Sequence, residues 1–151
     1  MRRKEKEIKD PKILESVLRQ AAICRLGLAE NNSPYVVPLN FGYRANCLYL
    51  HSAGEGRKIN ILKKNNRVCF EAELEVELIP AEKVCDWGMK YISVIGFGKA
   101  YFVESSEEKR EALNIILEHY SEKPPFEYLE EDLNRVTVIK VKIESMTGKK
   151  S

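Results

Sequence analysis

The sequence predicts a mainly β domain, a small closed or partly closed antiparallel barrel with helices at its periphery. Three observations carry this: about six segments have strand character, the connections between the first three are too short for crossover helices, and the chain is too short for two large sandwiched sheets plus the helices it also encodes. The 151 residues read as one domain spanning 1–151, without internal repeat or low-complexity segment. The loops around Pro80 and Pro124 read as connections within it.

Each element has its own signal. Asp10 is an N-cap with Pro11 at the first helical position, and Ile13, Leu14, Val17, Leu18 and Ala21 follow at the spacing of one apolar helical face. Residues 22–29 read as a strand with Cys24, Leu26 and Leu28 on one side; ENNSP then turns the chain into a second strand over 35–41. A turn over 42–46 leads to a third at 47–51. Residues 57–64 read as a short helix. In 67–77, apolar Val68, Phe70, Ala72, Leu74 and Val76 alternate with polar or acidic positions, so one face of that strand should be wet. The longest extended segment, 87–103, contains Gly96 and Gly98, which fit a bulge, a bend or a close approach better than a flat strand interior. Ser105 and Glu108 match a capping box before a helix with an Ala112, Leu113, Ile116, Leu117, Tyr120 stripe, ended by KPP at 123–125, with His119 on its solvated flank. A last strand over 136–144 precedes MTGKK, read as a frayed basic tail.

Composition excludes several classes. With 25 basic against 23 acidic residues the formal charge is +2, which argues against a general nucleic-acid surface. The N-terminal MRRKEKEIK has no apolar stretch behind it, and no run approaches the roughly 18 apolar residues of a membrane span, so the expected location is cytoplasmic, with no membrane partner. Cys24, Cys47, Cys69 and Cys85 lack CxxC spacing and read as structural thiols in a reducing compartment. Glu71, Glu73, Glu75 and Glu77 have no histidine among them and read as a solvent-facing stripe, so no metal site is expected.

The densest chemical signal is YLHSAGEGRKIN, residues 49–60. A strand runs out through His51 and Ser52 into a glycine-spaced turn and then into Arg57 and Lys58 at a helix start. Exposed backbone N–H groups, a hydroxyl and two cations in that order suit an anion, and a phosphate is the usual occupant. His51 can donate, accept or titrate near neutrality, which makes it the candidate catalytic side chain. No nucleophilic triad and no dinucleotide fingerprint accompanies it. Tyr35, Asn40, Tyr43, Trp87 and Tyr91 are candidates to touch a flat heteroaromatic group, and aromatic residues serve equally as core or subunit contacts.

Taken together in order, PYVVPLNFGY, LYLHSAGEGRKINILKKNNRVCFEAE and YISVIGFGKAYFVESSEEKREAL resemble the pyridoxamine 5'-phosphate oxidase-like FMN-binding split barrel superfamily, and within it the nitroimidazole-resistance-type flavoproteins, over about residues 10–145. The resemblance implies a six-stranded antiparallel split barrel with peripheral α-helices, a homodimer, and FMN in grooves at the subunit interface. It implies that His51, Ser52, Arg57 and Lys58 lie in the phosphate and ribityl region, that Pro38, Leu39 and Asn40 lie beside the isoalloxazine ring, that Ser93 is a further cofactor contact, and that Trp87 or Tyr91 approaches from the partner. The implied activity is an FMN-dependent oxidoreductase that takes electrons from a small-molecule donor to a small-molecule acceptor, a nitroaromatic compound being the candidate. Vitamin B6 oxidation itself is not expected, because no dedicated pyridoxamine-phosphate recognition follows the last strand. A non-catalytic flavin carrier is the alternative, with haem- and deazaflavin-binding relatives as further ones.

Overall fold

The computed structural model describes residues 3–121 and 126–151. In chain order, a 3-10 turn over Lys4–Lys6 precedes β1 (Glu7–Ile8) and α1 (Pro11–Gln20). Then come β2 (Cys24–Glu30), β3 (Ser33–Leu39), β4 (Gly42–Arg44), β5 (Cys47–Ser52), α2 (Arg57–Lys64) and β6 (Arg67–Ile79). A 3-10 turn over Val84–Asp86, β7 (Gly88–Val103), α3 (Ser106–Tyr120), α4 (Glu130–Arg135) and β8 (Thr137–Lys150) complete it.

All strand pairs are antiparallel, in the order β3-β2-β6-β7-β8-β5-β4, with β1 attached to β8. The predicted mainly β, antiparallel split-barrel class is the observed one, with eight strands where six were expected. All six expected strands are present. The two additional ones are short: β1 pairs Glu7 and Ile8 with Lys149 and Gly148, and β4 occupies part of what reads as a turn. The two edges, β3 and β4, are joined through Asn40 and Phe41 and yet are not hydrogen-bonded to each other, which leaves the sheet split along that seam.

Local chemistry explains the elements. Asp10 Oδ1 accepts the backbone N–H of Lys12 at 2.9 Å and caps α1. The β2–β3 and β4–β5 turns place Asn31, Asn32, Ala45 and Asn46 at positive φ, as two-residue primed turns require, and asparagine tolerates that region best. Ser105 Oγ accepts the N–H of Glu108 at 3.2 Å and starts α3, as the capping pair predicts. The KPP helix stop at 123–125 and Pro124 lie outside the described residues.

The core lies between the sheet's inner face, α1 and α2. Leu26, Phe41, Leu48, Leu50, Phe70, Val94, Ile139 and Val141 are fully buried there, and each large side chain contributes about 1.5–3 kcal/mol on burial. Ile59, Ile61 and Leu62 pin α2 to it; Leu14, Val17 and Leu18 pin α1. α3 covers the outer side of β4 and β5. A Cβ at Gly42 would lie 2.6 Å from the carbonyl oxygen of Ile115, and the Tyr120 hydroxyl donates to Ala22 O while accepting from the Phe41 N–H, both at 2.9 Å. His119 is not solvated: it is half-buried against the Phe41 ring, and its Nε2 lies 2.8 Å from Ala21 O.

Three sequence readings are corrected. The C-terminal MTGKK is not a frayed tail, because β8 continues to Lys150 against the first half of β7 and Gly148 fits tightly beneath Leu14. α4 has no counterpart in the sequence reading. The acidic stripe of β6 is not uniform: a bulge between Leu74 and Glu77, with Glu75 at φ +55°, divides it. Gly96 and Gly98 behave as the sequence suggests. Gly96 lies over the Phe70 ring, and a Cβ at Gly98 would overlap the carbonyl oxygen of Lys142 where β7 and β8 shift register. Gly98→Ala is therefore expected to cost about 2 kcal/mol or more in urea unfolding, because the obstacle is backbone; a change below about 0.5 kcal/mol would show that the register shift absorbs the methyl group.

Candidate functional site

The open seam and the path of α2 create the site. The chain must travel from β5, at one side of the sheet, to β6, which lies beyond β8 and β7, and α2 makes that crossing while packing towards β2. Its N-terminus therefore opens beside the end of β5. Gly56 is its N-cap at φ +116°, a backbone that side-chain-bearing residues rarely adopt, and no side chain caps the helix. The first-turn N–H groups consequently have no protein cap.

Two cations occupy that first turn, and neither forms an ion pair among the described residues. The Arg57 guanidinium lies over the Tyr35 ring of β3, 4.7 Å from its centroid, which holds it across the seam. Lys58 is half-buried, and burial alone holds its ammonium below the ordinary lysine range. Ser52 ends β5 opposite Thr137, and a Cβ at Gly54 would meet the Thr137 hydroxyl only at ordinary contact distance, 3.5 Å. An uncapped helix start, an arginine fork, a partly desolvated lysine and a serine hydroxyl form a donor set that fits a dianionic phosphate.

His51 and Ser52 are successive strand residues and so face opposite sides of the sheet. Leu48 and Leu50 point into the core, which puts His51 with Tyr49 on the outer side, where Tyr49 pairs with the Gly42 that lies under Ile115 of α3. His51 Nδ1 is buried there without a hydrogen-bond partner. On β3, Leu39 joins the core, Pro38 is exposed on the outer face opposite Arg25, and Asn40 is exposed at the seam.

Ser93 and Trp87 belong to a different region of the same chain. Ser93 is 9% exposed on the outer face of β7, in register with Glu73 and Lys149. Trp87 stands near the tip of the β6–β7 arm, half-exposed, with its indole N–H donating to Ala81 O at 2.8 Å. Beside Ser93 a groove of about 370 Å³ is lined by Glu71, Glu73, Val76, Met89, Tyr91 and Ile95. Lys149 also belongs here: its ammonium lies over the Tyr91 ring, 4.8 Å from the centroid, and donates to the Tyr91 hydroxyl. Sequence reasoning missed the Arg25–Glu71–Glu73 cluster in this groove, because the three meet only through strand pairing. Among the described residues there is no group of side chains suited to a metal ion, and all four cysteines are free.

The fold is an open antiparallel split barrel with an uncapped, cation-bearing helix start beside its seam. The chain belongs to the pyridoxamine 5'-phosphate oxidase family, whose model matches residues 10–150. Among solved structures it is similar to a candidate 5-nitroimidazole antibiotic resistance protein of Bacteroides thetaiotaomicron, at 42% identity and TM-score 0.85, over 95% of this chain and 85% of that one. The same fold recurs at low identity in a flavocytochrome of Azotobacter vinelandii (18%, TM-score 0.83, 100% of this chain and 72% of that one). It recurs too in an FAD and heme binding protein of Mycobacterium smegmatis (16%, TM-score 0.84, 97% and 73%). A search of curated proteins finds no match. No helix among the described residues is long and apolar enough to cross a membrane.

A half-buried lysine with no counter-charge costs the empty fold, and a bound anion would offset that cost. Lys58→Met should raise the melting temperature of the ligand-free protein while weakening its retention on a phosphate-bearing matrix. A variant that melts lower and binds unchanged would mean that Lys58 serves the fold.

Proposed function

We propose that this chain is a flavoprotein that binds FMN, in grooves completed by a second copy, and passes electrons from an external donor to a small acceptor. A nitroaromatic compound is the leading acceptor. The observation that carries the reading is the uncapped start of α2, with Arg57 and Lys58 unpaired in its first turn. Family membership and the likeness to a candidate nitroimidazole resistance protein support it.

In this reading Arg57, Lys58, Ser52 and the α2 N–H groups hold the phosphate, and the Tyr35 ring fixes the direction of the guanidinium. Pro38, Leu39 and Asn40 border the ring system along the β3 edge. The bound flavin ring supplies the electron transfer, and the protein supplies anchoring and orientation. His51 is assigned the catalytic position through its unpartnered Nδ1. His51→Gln separates two roles: lost turnover with FMN affinity kept marks proton transfer, and lost affinity marks positioning of the β5 exit.

A second copy is proposed on the outer face of β2, β6 and β7. Val36, Val76, Leu78, Met89, Ile95 and Phe97 are 42–60% exposed, and the register places Val36, Gly27, Cys69 and Phe97 in one row across the sheet. Monomers rarely leave apolar patches beyond a few hundred Å² uncovered, and a standard interface covers about 800 Å² per partner. In this reading Trp87 or Tyr91 would approach the cofactor from the second copy, and Ser93 would be a further cofactor contact.

The phosphate assignment is tested by comparing FMN with riboflavin. Arg57→Ala with Lys58→Ala should raise the FMN Kd by about tenfold or more, the worth of one or two charge-assisted hydrogen bonds, and leave riboflavin affinity nearly unchanged. Equal losses for both ligands would remove the phosphate from this position. Reduction of a nitroaromatic acceptor by the loaded protein with a chemical reductant distinguishes the oxidoreductase from a flavin carrier, which would hold FMN without turnover.

A further inference from the structure

The outer face proposed to meet a second copy is largely apolar, with Arg67 and the Lys99–Glu144 pair at the Phe97 end and a second polar place towards Ser93. Arg25 of β2, Glu71 and Glu73 of β6 share it, and a single guanidinium nitrogen, Nη1 of Arg25, reaches Glu71 Oε2 at 3.0 Å and Glu73 Oε1 at 2.8 Å. Two carboxylates against one guanidinium leave the cluster with one net negative charge when both are ionised. The groove beside them is walled by Val76, Met89 and Ile95, so the charge stands within the apolar surface and not at its rim. On β7 the neighbouring polar groups are Tyr91 and Ser93, and on β8 the Lys149 ammonium donates to the neutral Tyr91 hydroxyl and forms no ion pair with either glutamate. Lys90 pairs with Glu75 and Glu77 beyond the bulge. Among the described residues Arg25 is the one cation ion-paired with Glu71 or Glu73.

We propose that association of two copies through this face takes up a proton on the Glu71–Glu73 pair, so that the dimer, and with it the completed cofactor groove, is stabilised by mild acidity. The inference rests on the dimer reading given above. A two-fold interface brings one cluster from each copy, so covering the face buries two uncompensated negative charges unless each pair is protonated once.

The titration of the isolated chain already leans this way. Burial first, and then the hydrogen bond and charge of Glu73, push the Glu71 carboxyl up to about 7 against the pull of Arg25; Glu73 is held low, first by its hydrogen bond with Glu71. Cys24 on the adjoining β2 and Cys69 on β6 itself are raised mainly by burial, Cys24 to about 12, and stay neutral. Covering the cluster raises Glu71 further. A group whose value rises on association stabilises the associated state fully below its value in the free chain, here about 7, and that stabilisation disappears as pH climbs through the raised value.

The test is subunit exchange between differently labelled copies of the full chain, with sedimentation velocity to confirm the assembly. For the unmodified chain, exchange should accelerate by about tenfold or more between about pH 6 and about pH 8.5, the limit being tenfold per pH unit for each cluster that loses its proton. Glu71→Gln should exchange slowly and independently of pH. Glu73→Gln, which removes the neighbouring charge, should move the acceleration to lower pH. A dimer whose exchange responds to pH identically in the unmodified chain and in Glu71→Gln would overturn the proton link and leave the dimer standing; a monomer throughout would overturn both.

Discussion

The crossing of α2 over the open seam is the constraint on which this structure depends. β3 and β4 are the two sheet edges and do not pair, and the chain must still pass from β5 to β6 across that opening. α2 bridges it with three buried residues, Ile59, Ile61 and Leu62, and enters through a glycine backbone. One short element thus closes the core on its inner side and exposes unsatisfied N–H groups at its start. Gly56 at the cap position offers no side-chain acceptor to those N–H groups, and two cations follow in the first turn. The helix that closes the core and the proposed anion site are therefore one element.

Burial sets the chemistry on both faces of the sheet. At the start of α2 it depresses the Lys58 ammonium, and a phosphate is the partner proposed for it. On the outer side it raises Glu71, because the apolar groove at Ile95 and Met89 withholds water from a carboxylate that Arg25 only half compensates. Both shifts come from burial, of an ammonium in one case and of a carboxylate in the other. The proposed anion and the proposed second copy would each compensate one of them.

The parts legible in the sequence were those governed by local periodicity and caps: α1 behind Asp10 and Pro11, α3 behind Ser105, and the alternating strands with Phe70 and Leu26 inward. The glycine-spaced turn before Arg57 was legible for the same reason, since its consequence is a local backbone conformation. What could not be read depended on pairing between distant segments. The second half of β8 looks polar along the chain, and it is a strand because Met146 and Gly148 fit β7 and α1. The stripe of four glutamates reads as uniform until the Glu75 bulge turns the strand and leaves only Glu71 and Glu73 beside Arg25. His51 and Ser52 look like neighbours in one site by number, and strand alternation separates their side chains.

The central claim, that the α2 start is built for the phosphate of a flavin, is tested most directly by the visible absorption spectrum of the purified protein, followed by mass identification of the small molecule released on denaturation. The account predicts the two-band spectrum of an oxidised flavin, and a released mass equal to FMN. A colourless protein that also fails to bind added FMN would contradict it, leaving the split barrel in place without the cofactor its seam has been assigned.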